Sequence, residues 1–238
     1  MITLEPSLSS SGLRGRLHEC AARIPPHLFP RESSLKMADT LVVIRSGATD
    51  YEMQGRIRGT LEVPLCEQGI DEAEQVASLV SAAAPDVLIT SADSAAHETA
   101  RIIGRRLGAT PRVLAGLENL DLGLWQGSSA DEIRRRQPRL HRQWQINPWT
   151  VSPPEGEALD DACRRLESTL ERYFRRSHSQ RIALVLPDPL DRIVRWLAMG
   201  QPVGDLWRRD AHASGVTVVP LTGQWGIPGQ LRSTVAVG

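Results

Sequence analysis

The run Thr40-Leu-Val-Val-Ile-Arg-Ser-Gly-Ala-Thr49 constrains the fold more than any other stretch of the chain. Leu41 to Ile44 is a short apolar, β-branched block that reads as a buried strand, and Arg45-Ser46-Gly47 ends it where the chain must turn. In α/β proteins ligand sites are built beyond the carboxyl ends of the strands. Arg45 and Ser46 therefore stand where chemistry is expected.

A βαβ rhythm follows. Gln68 to Ala83 carries Ile70, Ala73, Val76, Ala77 and Val80 at helical spacing, and Asp93 to Leu107 repeats the pattern with Ala96, Ala100 and Ile103. Between them Asp86 to Thr90 reads as a second buried strand. Ala130 to Ile146 reads as two short helices divided at Pro138, and Glu157 to Phe174 as a long helix with Leu159, Cys163, Leu166, Leu170 and Phe174 inward. Arg181 to Leu186 is an apolar strand running into a helix that ends near Gly200. Gly215 to Leu221 and the segment after Trp225 close the sheet.

Several further blocks lie in order along this frame: Gln54-Gly55-Arg56-Ile57-Arg58-Gly59, Val63-Pro64-Leu65 and Glu67-Gln68-Gly69, Ser91 with Glu98-Thr99-Ala100, Leu120 to Gly127, and Pro154-Glu155-Gly156-Glu157. Together with the opening run they resemble the histidine phosphatase superfamily, the phosphoglycerate mutase-like proteins, from about Thr40 to Val219. The resemblance implies an α/β fold, a three-layer αβα sandwich around a mostly parallel central sheet.

The resemblance also implies a pocket, and the residues at its positions differ from the family's. An Arg-His-Gly closes the family's first strand and the His accepts the phosphoryl group; here that position is Ser46. The second Arg, in a pattern like Ser-Pro-x-x-Arg-Ala, falls on Ala95 within Ser91-Ala-Asp-Ser-Ala-Ala96. The proton-donating acid falls on Asn119, with Glu118 one residue away as a candidate substitute. The second His falls on Pro187, and the Asn that often follows the first motif falls on Glu52. Of the core pocket only Arg45 is kept. A catalytically degraded member is implied, with Arg45, Ser46, Glu52, Arg56, Glu118 and Asp188 lining whatever ligand site persists.

Phosphoryl transfer needs a nucleophile, cations around the equatorial oxygens and a proton for the leaving alcohol. Ser46 needs an adjacent base to attack. The histidines are His18, His27, His97, His141, His178 and His212, and none falls at the family's second His position. Pro187 donates no hydrogen bond. Ala95 removes a guanidinium whose charge-assisted bonds each contribute about 1.5–3 kcal/mol. Pro187-Asp188-Pro189-Leu190-Asp191 reads as a helix start with Asp188 at the N-cap and Pro189 at the first helical position. A carboxylate at that end takes the place that an anion would otherwise occupy. The expected pocket is neutral or mildly anion-repelling, with no positive cluster beyond Arg45.

Two functions fit. One is a non-catalytic protein of this fold with a binding or regulatory role, paired with a protein partner such as an active paralogue. The other is a phosphomonoesterase acting on a small phosphoester through Arg45, Ser46 and Glu118, which requires a base within reach of Ser46.

Composition bounds the rest. The chain has 238 residues, 41% of them hydrophobic, enough for one α/β core of ordinary size. The 28 basic and 28 acidic side chains cancel, so no overall field recruits nucleic acid or an anionic membrane. Cys20, Cys66 and Cys163 lie far apart without metal-ligand spacing, and no metal or cofactor is expected. No apolar stretch approaches the ~18–20 residues that span a bilayer, and the cytoplasm is the default. Residues 1–36 are turn-rich and without sustained periodicity, an extension expected to be disordered or a start-site artefact, with Met37-Ala38-Asp39 opening the domain that runs over 37–238. Trp144 and Trp149 are expected to pack the insertion onto the core, His97 to be a solvated helix residue and His212 to be structural. Arg134-Arg135-Arg136 with Arg139 and Arg142 reads as a solvated helix face.

Overall fold

The computed structural model describes residues 40–177, 181–209 and 215–221. Strand β1 (Thr40–Arg45) leads through a short helix α1 (Asp50–Met53) to α2 (Glu67–Ala83), β2 (Val87–Thr90), α3 (Ser94–Leu107) and β3 (Arg112–Val113). The insertion follows as α4 (Ala130–Arg136) and α5 (Pro138–Ile146), then α6 (Leu159–Arg176), β4 (Arg181–Leu186), α7 (Leu190–Met199) and β5 (Val216–Pro220). The five strands form one sheet in the order β3-β2-β4-β1-β5, parallel except for β5.

Period-two alternation sends the strand side chains to two separate cores. Leu41, Val43, Val87, Ile89, Ile182, Leu184 and Leu186 pack on one face against α6 and α7. Val42, Ile44, Leu88, Ala183 and Val185 pack on the other against Val76, Ala77 and Val80 of α2 and Ala96, Ala100 and Ile103 of α3. Helices cover both faces, which is why the strands read as unbroken apolar runs. Phe174 and Trp125 are among the largest fully buried side chains, each contributing about 1.5–3 kcal/mol or more by burial. The two short helices divide at Pro138 as expected; Ser129 and Glu132 form a capping box at the first, and Pro138 opens the second.

Trp144 is buried and meets Trp125 edge-on at 5.3 Å, and Trp149 packs on Trp196 at 4.8 Å. Arg134, Arg135, Arg136, Arg139 and Arg142 are exposed, Arg134 pairing with Asp131 on its own helix. His97 is half-buried beside Arg101 and Arg105 on the outer side of α3. Ile70, expected inward, is 39% exposed, because the buried face of α2 is centred on Gly69, Ala73, Val76, Ala77 and Val80. The edge strand β3 is two residues long, too short to leave a periodic signal. Residues 1–36, His18, His27, His178, His212 and the segment after Trp225 lie outside the described residues. No helix among the described residues is long and apolar enough to cross a membrane.

The loop after β1 lies directly on the first turn of α2. A Cβ at Gly47 would sit 2.1 Å from the carbonyl oxygen of Gly69, and one at Gly69 would sit 2.0 Å from that of Ala48. Only a pair of glycines permits this approach, and it holds Ser46 at the sheet end.

Candidate functional site

The in-register pairing of β1 with β4 sets Arg45 opposite Leu186, and the Ser46 N–H donates to the Leu186 carbonyl at 2.8 Å. Ser46 and Pro187 are therefore neighbours. The Gly47 N–H donates to Thr99 Oγ1 at 3.0 Å, and the same hydroxyl donates to the Ala95 carbonyl at 2.8 Å, which ties α3 to the turn. Asn119 Nδ2 donates to the carbonyls of Gly59 at 2.8 Å and Asp188 at 3.1 Å, joining three loops. Ser46, Ala95, Asn119 and Pro187 thus gather around the ends of β1 and β4.

Glu118 turns the other way. Its carboxylate accepts from the Gly116 N–H at 3.0 Å and lies 3.7 Å from Arg165 on α6, so the structure does not bring it to Ser46. The expected Asp188 N-cap is also corrected. Pro189 occupies the N-cap and α7 begins at Leu190. The Asp188 carboxylate is taken by Arg192, one turn along, whose Nε donates to it at 2.7 Å. An ion pair within reach outcompetes a neutral cap bond.

The third correction concerns cations. Sequence reasoning expected no positive group beyond Arg45, but Arg58, Arg192 and Arg209 also reach the strand ends. Each is held by acid. Arg58 Nε donates to Glu52 at 3.0 Å and its Nη1 to Asp93, while Glu52 also accepts from the Thr49 N–H and hydroxyl at 2.6 and 2.5 Å. Arg209 grips Glu72 with both terminal nitrogens, at 3.0 and 2.7 Å, and donates to the Ser46 carbonyl at 3.0 Å. On α7, Arg195 pairs with Asp191 at 3.0 Å. Arg45, Arg58, Arg192, Arg195 and Arg209 thus stand among Glu52, Glu72, Asp93, Asp188 and Asp191, five guanidiniums with five carboxylates.

The titrations follow from these contacts. Burial pushes the Asp93 carboxyl up, with Arg58 pulling against it. Burial, then the neighbouring Asp188 charge, raises Asp191, and Arg195, Arg192 and Arg45 oppose the rise. Burial acts to raise Glu72 as well, but the bonds from Arg209, Gln68 and the Ala48 N–H outweigh it and hold the group below its ordinary range. Burial acts to lower Arg58 and Arg209, and their acid partners leave both raised.

Two clefts open here, and Arg209 stands in the wall of both. The larger, about 610 Å³, is lined by Glu52, Arg56, Asp188, Arg192 and Trp207 among others; the smaller, about 390 Å³, by Arg45, Ser46, Gln68 and Glu72. Arg56 donates to the Gly127 carbonyl at 2.6 Å at the rim of the first. The residues expected to share one ligand site are therefore divided: Glu52, Arg56 and Asp188 on one side of Arg209, Arg45 and Ser46 on the other. Ser46 is only 3% exposed, and its hydroxyl makes no hydrogen bond among the described residues. No group of acidic, His or Cys side chains among the described residues could hold a metal ion.

Residues 41–226 match the histidine phosphatase superfamily (branch 1). The chain belongs to that superfamily. Among curated relatives of this histidine phosphatase superfamily member, glucosyl-3-phosphoglycerate phosphatase of Mycobacterium tuberculosis is 32% identical over 128 residues, 54% of this chain and 57% of the relative. Phosphoserine phosphatase 1 of Hydrogenobacter thermophilus is 22% identical over 198 residues, 83% of this chain and 94% of the relative. The matched part spans little more than half the length of the first of these relatives. Among solved structures, a mycobacterial glucosyl-3-phosphoglycerate phosphatase in complex with VO3 superposes with a TM-score of 0.65 at 26% identity, over 71% of this chain and 86% of that one. Bacillus stearothermophilus YhfR gives 0.66 at 25%, over 79% and 94%.

Sequence reasoning missed Arg58, Glu72, Asp93, Thr99 and Arg209. Arg58 lay in plain view, an arginine inside a matched block between apolar neighbours, and a charge there required a buried acid somewhere. No local signal points to Arg209.

Proposed function

We propose that this superfamily member is non-catalytic, a pseudophosphatase whose role is to bind or regulate, in company with a protein partner such as an active paralogue. One observation carries the reading: the arginines Arg58, Arg192 and Arg209 around the strand ends are each committed to a carboxylate of this chain. A phosphoryl group entering beside Ser46 would meet cations that already hold carboxylates; freeing Arg58 or Arg192 breaks a buried pair, at about 3–5 kcal/mol, while the partly exposed Arg209 pair costs less. Among the described residues no base bonds to the hydroxyl, and Ala95, Asn119 and Pro187 supply neither guanidinium, proton donor nor imidazole.

The relatives' printed names favour the other reading, a phosphomonoesterase acting on a small phosphoester through a rearranged site. One experiment separates the two. The purified chain is assayed against p-nitrophenyl phosphate, glucosyl-3-phosphoglycerate and phosphoserine beside a Ser46→Ala variant. Equal, background rates support the pseudophosphatase; turnover lost with Ser46 or with Arg45→Gln establishes the esterase. Affinity capture of the native protein followed by mass spectrometry tests for the partner, and recovery of the chain alone argues against one.

A further inference from the structure

We propose that the groove between β3 and the last turns of α6 is a second anion site, one that takes the diphosphate or polyphosphate group of a small molecule. Arg112 on β3 and Arg172 and Arg176 on α6 line it, with Leu114, Thr169 and Tyr173, in a cleft of about 480 Å³. Among the described residues no acidic side chain lines it. That sets it apart from both strand-end clefts, whose walls carry Glu52, Asp131, Asp188 or Glu72.

The three guanidiniums are uncommitted. Among the described residues none of Arg112, Arg172 and Arg176 forms an ion pair or a side-chain hydrogen bond, whereas Arg164, Arg165 and Arg175 on the same helix are all paired. Arg172 and Arg176 are one turn apart on one helix face, so like charges stand side by side with nothing to offset them. A single arginine in a last helical turn is accounted for by the helix dipole, and that explains Arg176. It does not explain Arg112, which lies on a strand, or Arg172, a turn further from the end.

An anion of high charge is what such a set recognises. The planar guanidinium fork matches phosphate oxygens two at a time. One phosphoryl group engages one wall of the groove; two or more, linked, reach both the helix pair and Arg112. The site is also remote from Ser46. Two strands, β2 and β4, lie between β3 and β1, a separation of roughly 14 Å at the usual strand spacing. The two regions share no lining residue.

The test uses the whole chain and pyrophosphate as the probe, by isothermal titration at low ionic strength, with inorganic phosphate beside it. Binding of pyrophosphate should exceed that of phosphate, and should fall roughly tenfold or more in the Arg172→Gln/Arg176→Gln double variant. Arg112→Gln should weaken pyrophosphate more than phosphate, because it removes the second wall. Arg101→Gln, on α3, is the control for charge alone and should change nothing. Arg101, Arg112, Arg172 and Arg176 are exposed, so circular dichroism should find their variants folded; the buried Arg45→Gln is read only if its spectrum matches the parent. No measurable binding, an equal loss in Arg101→Gln, or a loss caused by Arg45→Gln instead of the groove variants would overturn the proposal. The outcome is independent of whether Ser46 is catalytic.

Discussion

Arg209 Nη2 lies 3.0 Å from the carbonyl oxygen of Ser46, across 163 residues of sequence. Its other bonds go to Glu72 on α2, so one side chain joins the end of β1, a helix on one face of the sheet and the loop that follows α7. It forms the wall between the two clefts at the strand ends. A guanidinium lying against the turn where chemistry is expected could favour an anion, but this one arrives with its own counter-charge. The same device recurs at Arg58 and Arg192, each of which carries its own counter-charge.

We predict that Glu72→Gln loosens this wall. The variant keeps an amide that accepts one bond but loses the charge that holds Arg209. The loss should be about 1–2 kcal/mol, since the pair is partly exposed. For a chain of this size that is a fall in melting temperature of about 2–8 °C. Phosphate affinity should rise at the same time, because Arg209 becomes available. A variant as stable as the parent, with unchanged phosphate binding, would show that the Arg209 contacts do not hold the wall.

The pH dependence of that contact has a definite sign. The Glu72 carboxyl is held below its ordinary value of 4.5 in the fold. The unfolded chain therefore binds the proton first as pH falls, and the contribution of Glu72 is complete above that value and lost as pH drops through the folded one. Urea midpoints of the parent and Glu72→Gln should differ at pH 6–7, and the gap should narrow as pH falls below the ordinary value of 4.5 and through the lower folded one. A gap that stays constant into acid would place the effect elsewhere.

The glycine contact beneath Ser46 gives a sharper test. Gly47→Ala would bring a methyl group to within 2.1 Å of a backbone oxygen, which no side-chain rotation relieves. We predict a loss of at least about 2 kcal/mol, read as a fall in melting temperature of about 4–8 °C. Gly69→Ala should behave alike, and the double variant should be no milder than either. If Gly47→Ala melts with the parent, the turn and α2 do not touch as described.

The parts of this molecule that could be read beforehand are those with local, repeating signals. Leu41 to Ile44 and Ile182 to Leu186 are apolar on both faces, and α6 repeats its apolar residues along one side, so strand and helix identities follow. Ser46, Ala95, Asn119 and Pro187 were locatable because each sits inside an ordered block. The ion pairs were not. Arg209 and Glu72 are 137 residues apart, and a charge carries no periodicity to announce its partner. Asp188 misled for a related reason: the rule for helix starts weighs local residues by type, and the Arg192 guanidinium one turn on decided where the carboxylate went.

Asn119 holds three loops together, and its own contacts allow that role to be tested. Its amide donates to two carbonyls, Gly59 and Asp188, and its own oxygen accepts from the Leu120 N–H at 2.9 Å. The residue is 2% exposed and Gly59 is buried beside it, so the Gly59 carbonyl has no water to turn to, while the Asp188 contact is partly buried. Asn119→Asp keeps the shape and places an acid at the position that the resemblance assigns to the family's proton donor. It also removes the only donor and sets a carboxylate against two carbonyl dipoles. Leaving buried acceptors unsatisfied costs about 1–3 kcal/mol each, so we predict a loss of about 2–4 kcal/mol, with Asn119→Ala milder because it adds no charge. Melting temperatures of the two variants, measured at pH 7, decide the order. Protonating the introduced carboxyl in the fold would restore one donor, so the deficit of the Asn119→Asp variant should shrink as pH falls toward about 5. Should Asn119→Asp prove as stable as the parent at neutral pH, the amide is not what ties these loops, and an acid is tolerated there without rebuilding the contacts among Gly59, Asn119 and Asp188.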